Sequence, residues 1–310
     1  MLDVRRMKVL REVAARGSFS AAAEALSFTQ SAISQQIAAL ERETGATLLE
    51  RSPRGVRLTD AGTALVSHAD AILARLDDAE EELAALAGLR GGRLRLATFQ
   101  SGGATLVPRA VKAFHDSHPA VDLSMVEAEP DEAQELLRCG AVDLAVLYDF
   151  ERLPDSISDD FELAHLIDDP YEAVVAATHP LARKRGLRLE DMGEDPWISS
   201  TSRCGCRAIT DRACRDAGFE PRVAFEADET MAAQAFVAAG VGVTILPRLA
   251  LSPLRAGVVA RSLGRDAPMR RIWVARPGDG YRSPASEAMV QVLRDVAEEF
   301  RAEPEPVEAG

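Results

Sequence analysis

The sequence predicts a multidomain α/β chain in three parts: an N-terminal winged helix-turn-helix, a long coiled-coil linker helix, and a C-terminal two-lobed α/β domain. Three observations predict it. Short apolar-patterned helices are followed by a Pro/Gly turn bearing arginines, a stripe of apolar residues then recurs in steps of four and three, and strand-like and helix-like segments alternate twice through the remainder of the 310 residues. The boundaries read from these patterns are 1–62, 63–90 and 91–300, with a Pro/Glu-rich tail at 301–310 expected to be disordered. Within the last domain, lobe I takes about 91–163 and 268–300, and lobe II about 164–267.

In the first module, Met7, Leu10, Val13 and Ala14 place an apolar face on a helix that Gly17-Ser18 ends. A second helix follows from Ser20, read as its cap, to Leu26, read as its buried anchor. Thr29 caps the third, in which Ile33, Ile37 and Leu40 share the core face and Ser31, Ser34, Gln35, Ala38 and Arg42 share the opposite one. Short polar side chains at a helix N-terminus can hydrogen-bond base edges and phosphates in a major groove. A solvated helix face is the bland alternative, and the next segment decides against it. Residues 45–59 read as two short strands around a Pro/Gly turn, a wing whose Arg51, Arg54 and Arg57 suit phosphates or a minor groove. The residues expected at DNA are therefore Thr29, Gln30, Ser31, Ser34, Gln35, Arg42, Arg51, Arg54 and Arg57.

A net charge of −13 at first opposes contact with nucleic acid. Residues 1–62, however, carry 9 Lys/Arg against 7 Asp/Glu, so the acid belongs to the remainder, which a duplex repels.

Thr59-Asp60 suits the start of a long helix on which Leu65, Ala69, Ile72, Leu76, Ala79, Leu83 and Leu86 form the stripe. An amphipathic helix packed on its own domain would show a similar stripe. One this regular, with Asp77, Asp78, Glu80, Glu81 and Glu82 outside it, suits a partner helix, and Leu65, Ala69, Ile72, Leu76, Ala79 and Leu83 are the expected dimerisation residues. Two recognition helices held by a two-fold axis would read an inverted repeat in double-stranded DNA. Gly88 and Gly91-Gly92 mark a hinge.

The run Gly17-Ser18-Phe19-Ser20, Ala22-Ala23, Leu26, Gln30-Ser31-Ala32-Ile33-Ser34, Ile37, Leu40-Glu41, Gly45, Leu48, Glu50-Arg51 and Leu58-Thr59-Asp60-Ala61-Gly62 resembles the N-terminus of the LysR-type transcriptional regulators. Leu49 departs from it, standing where the family usually has Phe. The resemblance implies a linker helix that pairs with a second subunit, a homodimer assembling into a homotetramer, and RNA polymerase as a partner if the protein activates. It also implies that the second half is an effector-binding domain with a periplasmic-binding-protein-like fold. Looser echoes there are Pro108 to Pro119, Leu136 to Ala145, His179-Pro180-Leu181-Ala182 and Gly240 to Pro247.

In that half, residues 93–99, 121–128 and 142–147 read as strands, and 104–115 and 131–138 as helices. A second set comprises strands at 173–177, 197–198, 223–226 and 243–247, and helices at 206–217 and 230–239. In such a sheet a ligand sits beyond strand C-termini, where helix N-termini favour an anion. Thr98, Gln100, Ser101, Tyr148, Ser200, Thr201, Thr230 and Thr244 occupy those corners and are the expected effector contacts. Each alone suits a cap or turn residue; together they converge on a cleft for a small metabolite, an anion among the candidates.

Rival readings are weaker. An enzyme lacks its marks, since no Gly-x-Ser-x-Gly elbow, phosphate loop or catalytic metal spacing occurs, and no cofactor, catalytic residue or metal ligand is expected. A transporter's solute-binding protein needs export, but the first residues do not read as a signal peptide, and no apolar run is long enough for a membrane; a cytoplasmic protein is expected. Cys204, Cys206 and Cys214 could bind a soft metal or oxidise, against the plainer reading of buried, inert thiols.

Overall fold

The computed structural model describes residues 2–52, 55–86, 92–150, 157–201, 205–278 and 282–302. Arg54, Cys204, Gly88, Gly91 and residues 303–310 lie outside the described residues, as do the side chains of Arg51 and Leu86.

Helix α1 (Val4–Arg16) is capped by Asp3, whose carboxylate accepts from the Arg5 N–H at 2.8 Å, and it ends at Gly17 in the left-handed region (φ 61°). Helix α2 (Phe19–Ala25) is capped by Ser18 and not by Ser20: the chain leaves Gly17 extended at Ser18, so the helix begins two residues earlier. Leu26, expected as its anchor, is the half-buried C-cap, and Phe19, Ala22 and Ala23 are buried instead. Helix α3 (Gln30–Thr44) is capped by Thr29 at 3.2 Å from the Ala32 N–H and buries Ile33, Ile37 and Leu40.

Strands β1 (Leu49–Ser52) and β2 (Gly55–Leu58) form the antiparallel wing. It is tied down twice: the Val56 N–H donates to the Gly17 carbonyl at 2.9 Å, and the Glu41 carboxylate accepts from the Leu48 and Leu49 N–H groups at 2.8 and 3.4 Å. Leu49 fills its place in the buried core. Helix α4 (Asp60–Leu86) starts under the wing with Thr59 as cap, its hydroxyl accepting from the Gly62 N–H at 3.0 Å. A Cβ at Gly62 would lie 2.1 Å from the Leu48 carbonyl oxygen, so glycine is what lets α4 pass there.

The stripe on α4 divides. Leu65 and Ala69, expected at a dimer seam, are buried in the core of the winged module against α1, because the first turns of α4 complete that core. Ile72, Leu76 (45% exposed), Ala79 and Leu83 (66% exposed) face outward.

The second half runs β3 (Gly92–Thr98), α5 (Gln100–Ala104), α6 (Leu106–Ser117), β4 (Val121–Glu127), α7 (Pro130–Arg138), β5 (Leu144–Phe150), β6 (Phe161–Ala176), β7 (Pro196–Ser199), α8 (Gly205–Asp216), β8 (Arg222–Glu226), α9 (Thr230–Ala238), β9 (Thr244–Pro247), β10 (Val258–Ser262), β11 (Met269–Pro277) and α10 (Pro284–Ala302). The helix expected at 104–115 is interrupted at Thr105, whose hydroxyl donates to the Ser101 carbonyl at 2.6 Å. One sheet has the order β10-β6-β11-β5-β3-β4, with β9 also on β6. Strands β3, β4 and β5 are parallel, and β11 is antiparallel to β5 and β6.

The sixteen-residue β6 belongs to both lobes. Its first part, Phe161–Pro170, pairs with β11, and Tyr171–Ala176 pairs with β9 and β10. The passage between lobes was expected at 163/164; the strand continues in the first lobe's sheet to Pro170, because its register with β11 runs that far. Beyond it, β7 and β8 pair in parallel, and β7 bridges Val243. No described helix is long and apolar enough to cross a membrane.

Candidate functional site

Two surfaces carry the expected residues. On the winged module, Thr29, Gln30, Ser31, Gln35 and Arg42 are exposed along one side of α3, Ser34 is half-buried, and Arg57 is exposed on β2. The Thr29 hydroxyl both caps α3 and lies 3.0 Å from the Ser31 hydroxyl, and the Arg42 guanidinium folds back to donate to the Ala38 carbonyl at 3.2 Å. The core faces of the same helix leave no choice of rotation, so this polar side must point outward.

The second surface is a cleft where the lobes meet, lined by polar and apolar side chains from both. Gln100 and Ser101 reach it from the first turn of α5, Tyr148 from β5, Ser200 from the end of β7, Thr230 from the start of α9, and Thr244 from β9. Two expected contacts are not on its wall. Thr98 is fully buried beneath α5, its hydroxyl on the Phe99 carbonyl. Thr201 instead binds the Asp228 carboxylate through its N–H and hydroxyl at 2.7 and 2.9 Å.

The charged centre of the cleft was not expected. Arg270 on β11 and Asp169 on β6 are direct cross-strand partners, 2% and 1% exposed, joined by Arg270 Nε to Asp169 Oδ2 at 2.8 Å. Arg270 Nη2 donates to Ser101 Oγ at 2.7 Å, and the guanidinium stands 4.9 and 5.1 Å from the ring centroids of Phe99 and Tyr148. Asp169 Oδ1 accepts from the Leu249 N–H at 3.0 Å, so the pair fastens both lobes at the point where β6 changes partners. Burial works hardest against the arginine's charge, yet its neighbours together, Asp169 first among them, outweigh it and hold the guanidinium protonated above its ordinary range.

This arrangement alters the expected electrostatics. The arginine is already matched by a buried carboxylate, and Glu129 and Asp228 add negative charge to the wall. Glu129 accepts from the Tyr148 hydroxyl at 2.6 Å. Two wall hydroxyls, Tyr171 OH and Ser199 Oγ, are buried without a hydrogen bond of ordinary geometry among the described residues, Tyr171 having the Cys206 thiol as its polar neighbour. Nothing local in the sequence distinguishes these residues: Arg270 sits beside Arg271 in a run that reads as surface charge, and Tyr171 follows an Asp-Pro pair.

Among the described residues the cysteines do not assemble. Cys206 is half-buried in the first turn of α8 and lines the cleft, 3.9 Å from the Tyr148 hydroxyl, while Cys214 is buried on the same helix. Eight residues of helix separate them by about 12 Å, beyond the reach of a disulfide while α8 is intact. No cluster of three metal-ligating side chains occurs among the described residues. Burial, and secondarily Asp211, pushes the Cys214 thiol up to about 12. In the native protein at pH 8, Cys214 is expected to resist a thiol reagent that labels Cys206, read by mass spectrometry of peptides. Labelling of Cys214 at a comparable rate would show that α8 opens readily.

A module that presents a polar helix and wing, joined to a two-lobed domain around a polar cleft, defines a ligand-responsive DNA-binding protein. The comparisons agree with that class. Residues 4–63 match the family described as bacterial regulatory helix-turn-helix protein, lysR family, and residues 87–298 match the LysR substrate binding domain. The chain is 33% identical over 303 residues, 97% of its length and 99% of the relative's, to the probable HTH-type transcriptional regulator LrrA of Synechococcus elongatus. It is 31% identical to the HTH-type transcriptional regulator CfxR of Cupriavidus necator, over 96% of this chain and 93% of the relative. Among solved structures, CbnR in complex with its target DNA superposes with a TM-score of 0.69 at 24% identity, covering 95% of this chain and 100% of that one. A full-length OxyR variant from Pseudomonas aeruginosa superposes at 0.72 and 23%, covering 96% and 95%. The chain belongs to the LysR family of DNA-binding transcriptional regulators, with an effector-binding domain behind its helix-turn-helix.

Proposed function

We propose that a small polar effector, held between the lobes, changes the angle between them and thereby the placement of paired α3 helices on promoter DNA. The observation that carries this is the pair of buried hydroxyls on Tyr171 and Ser199. A buried hydroxyl without a hydrogen bond of ordinary geometry is costly, and a guest that hydrogen-bonds both removes that cost. Because Arg270 is already neutralised and Glu129 and Asp228 are acidic, the wall favours a neutral or zwitterionic guest over a simple polyanion.

The DNA contacts in this reading are Thr29, Gln30, Ser31, Ser34, Gln35 and Arg42 on α3, with Arg51, Arg54 and Arg57 from the wing; CbnR, of like fold, has been captured on its target DNA, which supports it. The outward part of α4, Ile72, Leu76, Ala79 and Leu83, holds a homodimer that reads an inverted repeat and pairs into a tetramer. The domain limits are 1–62, 63–90 and 91–300, the lobes meeting at Pro170 and again near residue 268. The protein acts in the cytoplasm without catalysis or a resident cofactor or metal, and touches RNA polymerase where it activates.

The test has two parts. Duplexes enriched by the full-length protein from a random-sequence library are expected to bind selectively, with affinity falling by about 10³-fold or more between 50 and 200 mM salt, as six or more phosphate contacts dictate. Binding that ignores both sequence and salt would sink the DNA assignment. For the cleft, a library of small polar metabolites is screened by thermal shift against wild type and a Tyr171→Phe/Ser199→Ala double variant. The variant is expected to melt at or above the wild-type temperature without ligand and to lose the stabilisation each hit gives. Full stabilisation of the variant by every hit would place the effector elsewhere.

A further inference from the structure

The turn between α2 and α3 exposes a residue that the fold does not need. Phe28 immediately precedes the Thr29 cap, and 57% of it is exposed. The position is one where a phenyl ring usually packs. It precedes the N-cap, and the fourth residue of the helix beyond, Ile33, is apolar and fully buried, which is the sequence arrangement of a hydrophobic staple. Phe28 nonetheless keeps more than half of its surface in solvent. Leu26, Val56, Leu58 and Val66 are the partly buried apolar residues that pack on the module's core, and Phe28 is not among them.

The backbone explains the outward placement. Ser27 adopts a left-handed conformation (φ 56°), and the Phe28 N–H donates to the Ala23 carbonyl at 2.8 Å, closing the C-terminus of α2. The chain therefore leaves α2 and enters α3 with Phe28 at the head of the recognition helix, next to exposed Gln30 and Ser31. An apolar side chain there has one kind of apolar group to meet in a major groove, the C5-methyl of thymine.

We propose that Phe28 is a specificity-determining residue that packs on a thymine methyl in each half-site. This rests on the reading of α3 as the recognition helix. Gln30 and Ser31 supply hydrogen bonds to base edges or phosphates beside it, while Phe28 contributes a contact that salt does not weaken.

The experiment uses full-length protein and the best duplex it enriches from a random-sequence library. Each thymine is replaced in turn by deoxyuridine, which keeps the pairing and the O4 acceptor and removes only the methyl. One thymine per half-site is expected to lose about fourfold in affinity, the worth of one buried methyl. Phe28→Ala should show the same loss on the thymine duplex, no further loss on the deoxyuridine duplex, and an unchanged salt slope and melting temperature. The proposal is overturned if Phe28→Ala binds the thymine duplex as wild type does, or if it keeps the wild-type sensitivity to deoxyuridine. A Phe28→Ala protein that changes its sedimentation but not its deoxyuridine response would assign Phe28 to a subunit contact and overturn it equally. If no duplex is enriched at all, the DNA reading of α3 itself fails, an outcome separate from the others.

Discussion

Asp169→Ala is expected to destabilise the effector-binding domain by about 3–5 kcal/mol, among the largest effects of any single substitution in this chain. Arg270 would then be left buried with Ser101 Oγ and two aromatic faces, none of which carries a full negative charge. The Leu249 N–H would lose its acceptor as well, so the joint between the lobes loosens on both sides. Chemical denaturation of the full chain, following the transition of this domain, should show the loss as a lowered midpoint. Replacing both partners, Asp169→Leu with Arg270→Met, should restore most of the stability, because an apolar pair of similar volume carries no stranded charge. A loss below about 1 kcal/mol for Asp169→Ala would mean that water reaches the arginine, and the description of the site would be wrong. The same variant should bind no hit from the thermal-shift screen, since Arg270 orients Ser101, Phe99 and Tyr148 on the cleft wall.

Leu76→Lys with Leu83→Lys is expected to weaken self-association by at least about 100-fold, through two charges placed in an apolar helix seam on each of two chains. Both side chains are exposed within one chain, so the monomer should keep its melting temperature. Sedimentation velocity across a concentration series reads the change directly, and operator binding should fall with it because a single α3 helix reads half a site. Leu65→Ala makes the contrast. It removes a buried side chain from the core of the winged module and should cost that module about 2–4 kcal/mol while leaving association through the outer seam intact. If the double lysine variant sediments as wild type, the outer seam is not the interface, and the exposed leucines need another partner.

The division of that stripe shows where local pattern stops being informative. From the sequence, Leu65, Ala69, Ile72, Leu76, Ala79 and Leu83 are equivalent members of one repeat. They become different only when α1 and the wing fold against the first turns of α4 and enclose two of them. The same limit applies to Ser20, which reads as the cap of α2 until the left-handed turn at Gly17 sets the chain extended at Ser18 and gives that serine the role.

The recognition helix with its Thr29 cap, the wing, the position of α4 and most strands and helices of the two lobes were legible by themselves, because each depends on residues within a few positions: a cap, an alternation, a 3.6-residue period. So were the corners Gln100, Ser101, Tyr148, Ser200, Thr230 and Thr244, which follow from where strands end and helices begin. Only the tertiary structure decided which arginine of Arg270-Arg271 turns inward to Asp169, 101 residues away, and which pairs with Asp149 at 2.6 Å. It also decided that β6 serves both lobes, and that Tyr171 and Ser199 bring buried hydroxyls to the cleft wall. Those outcomes depend on strand register and on which groups burial deprives of water, and both are properties of chains brought together from distant parts of the sequence.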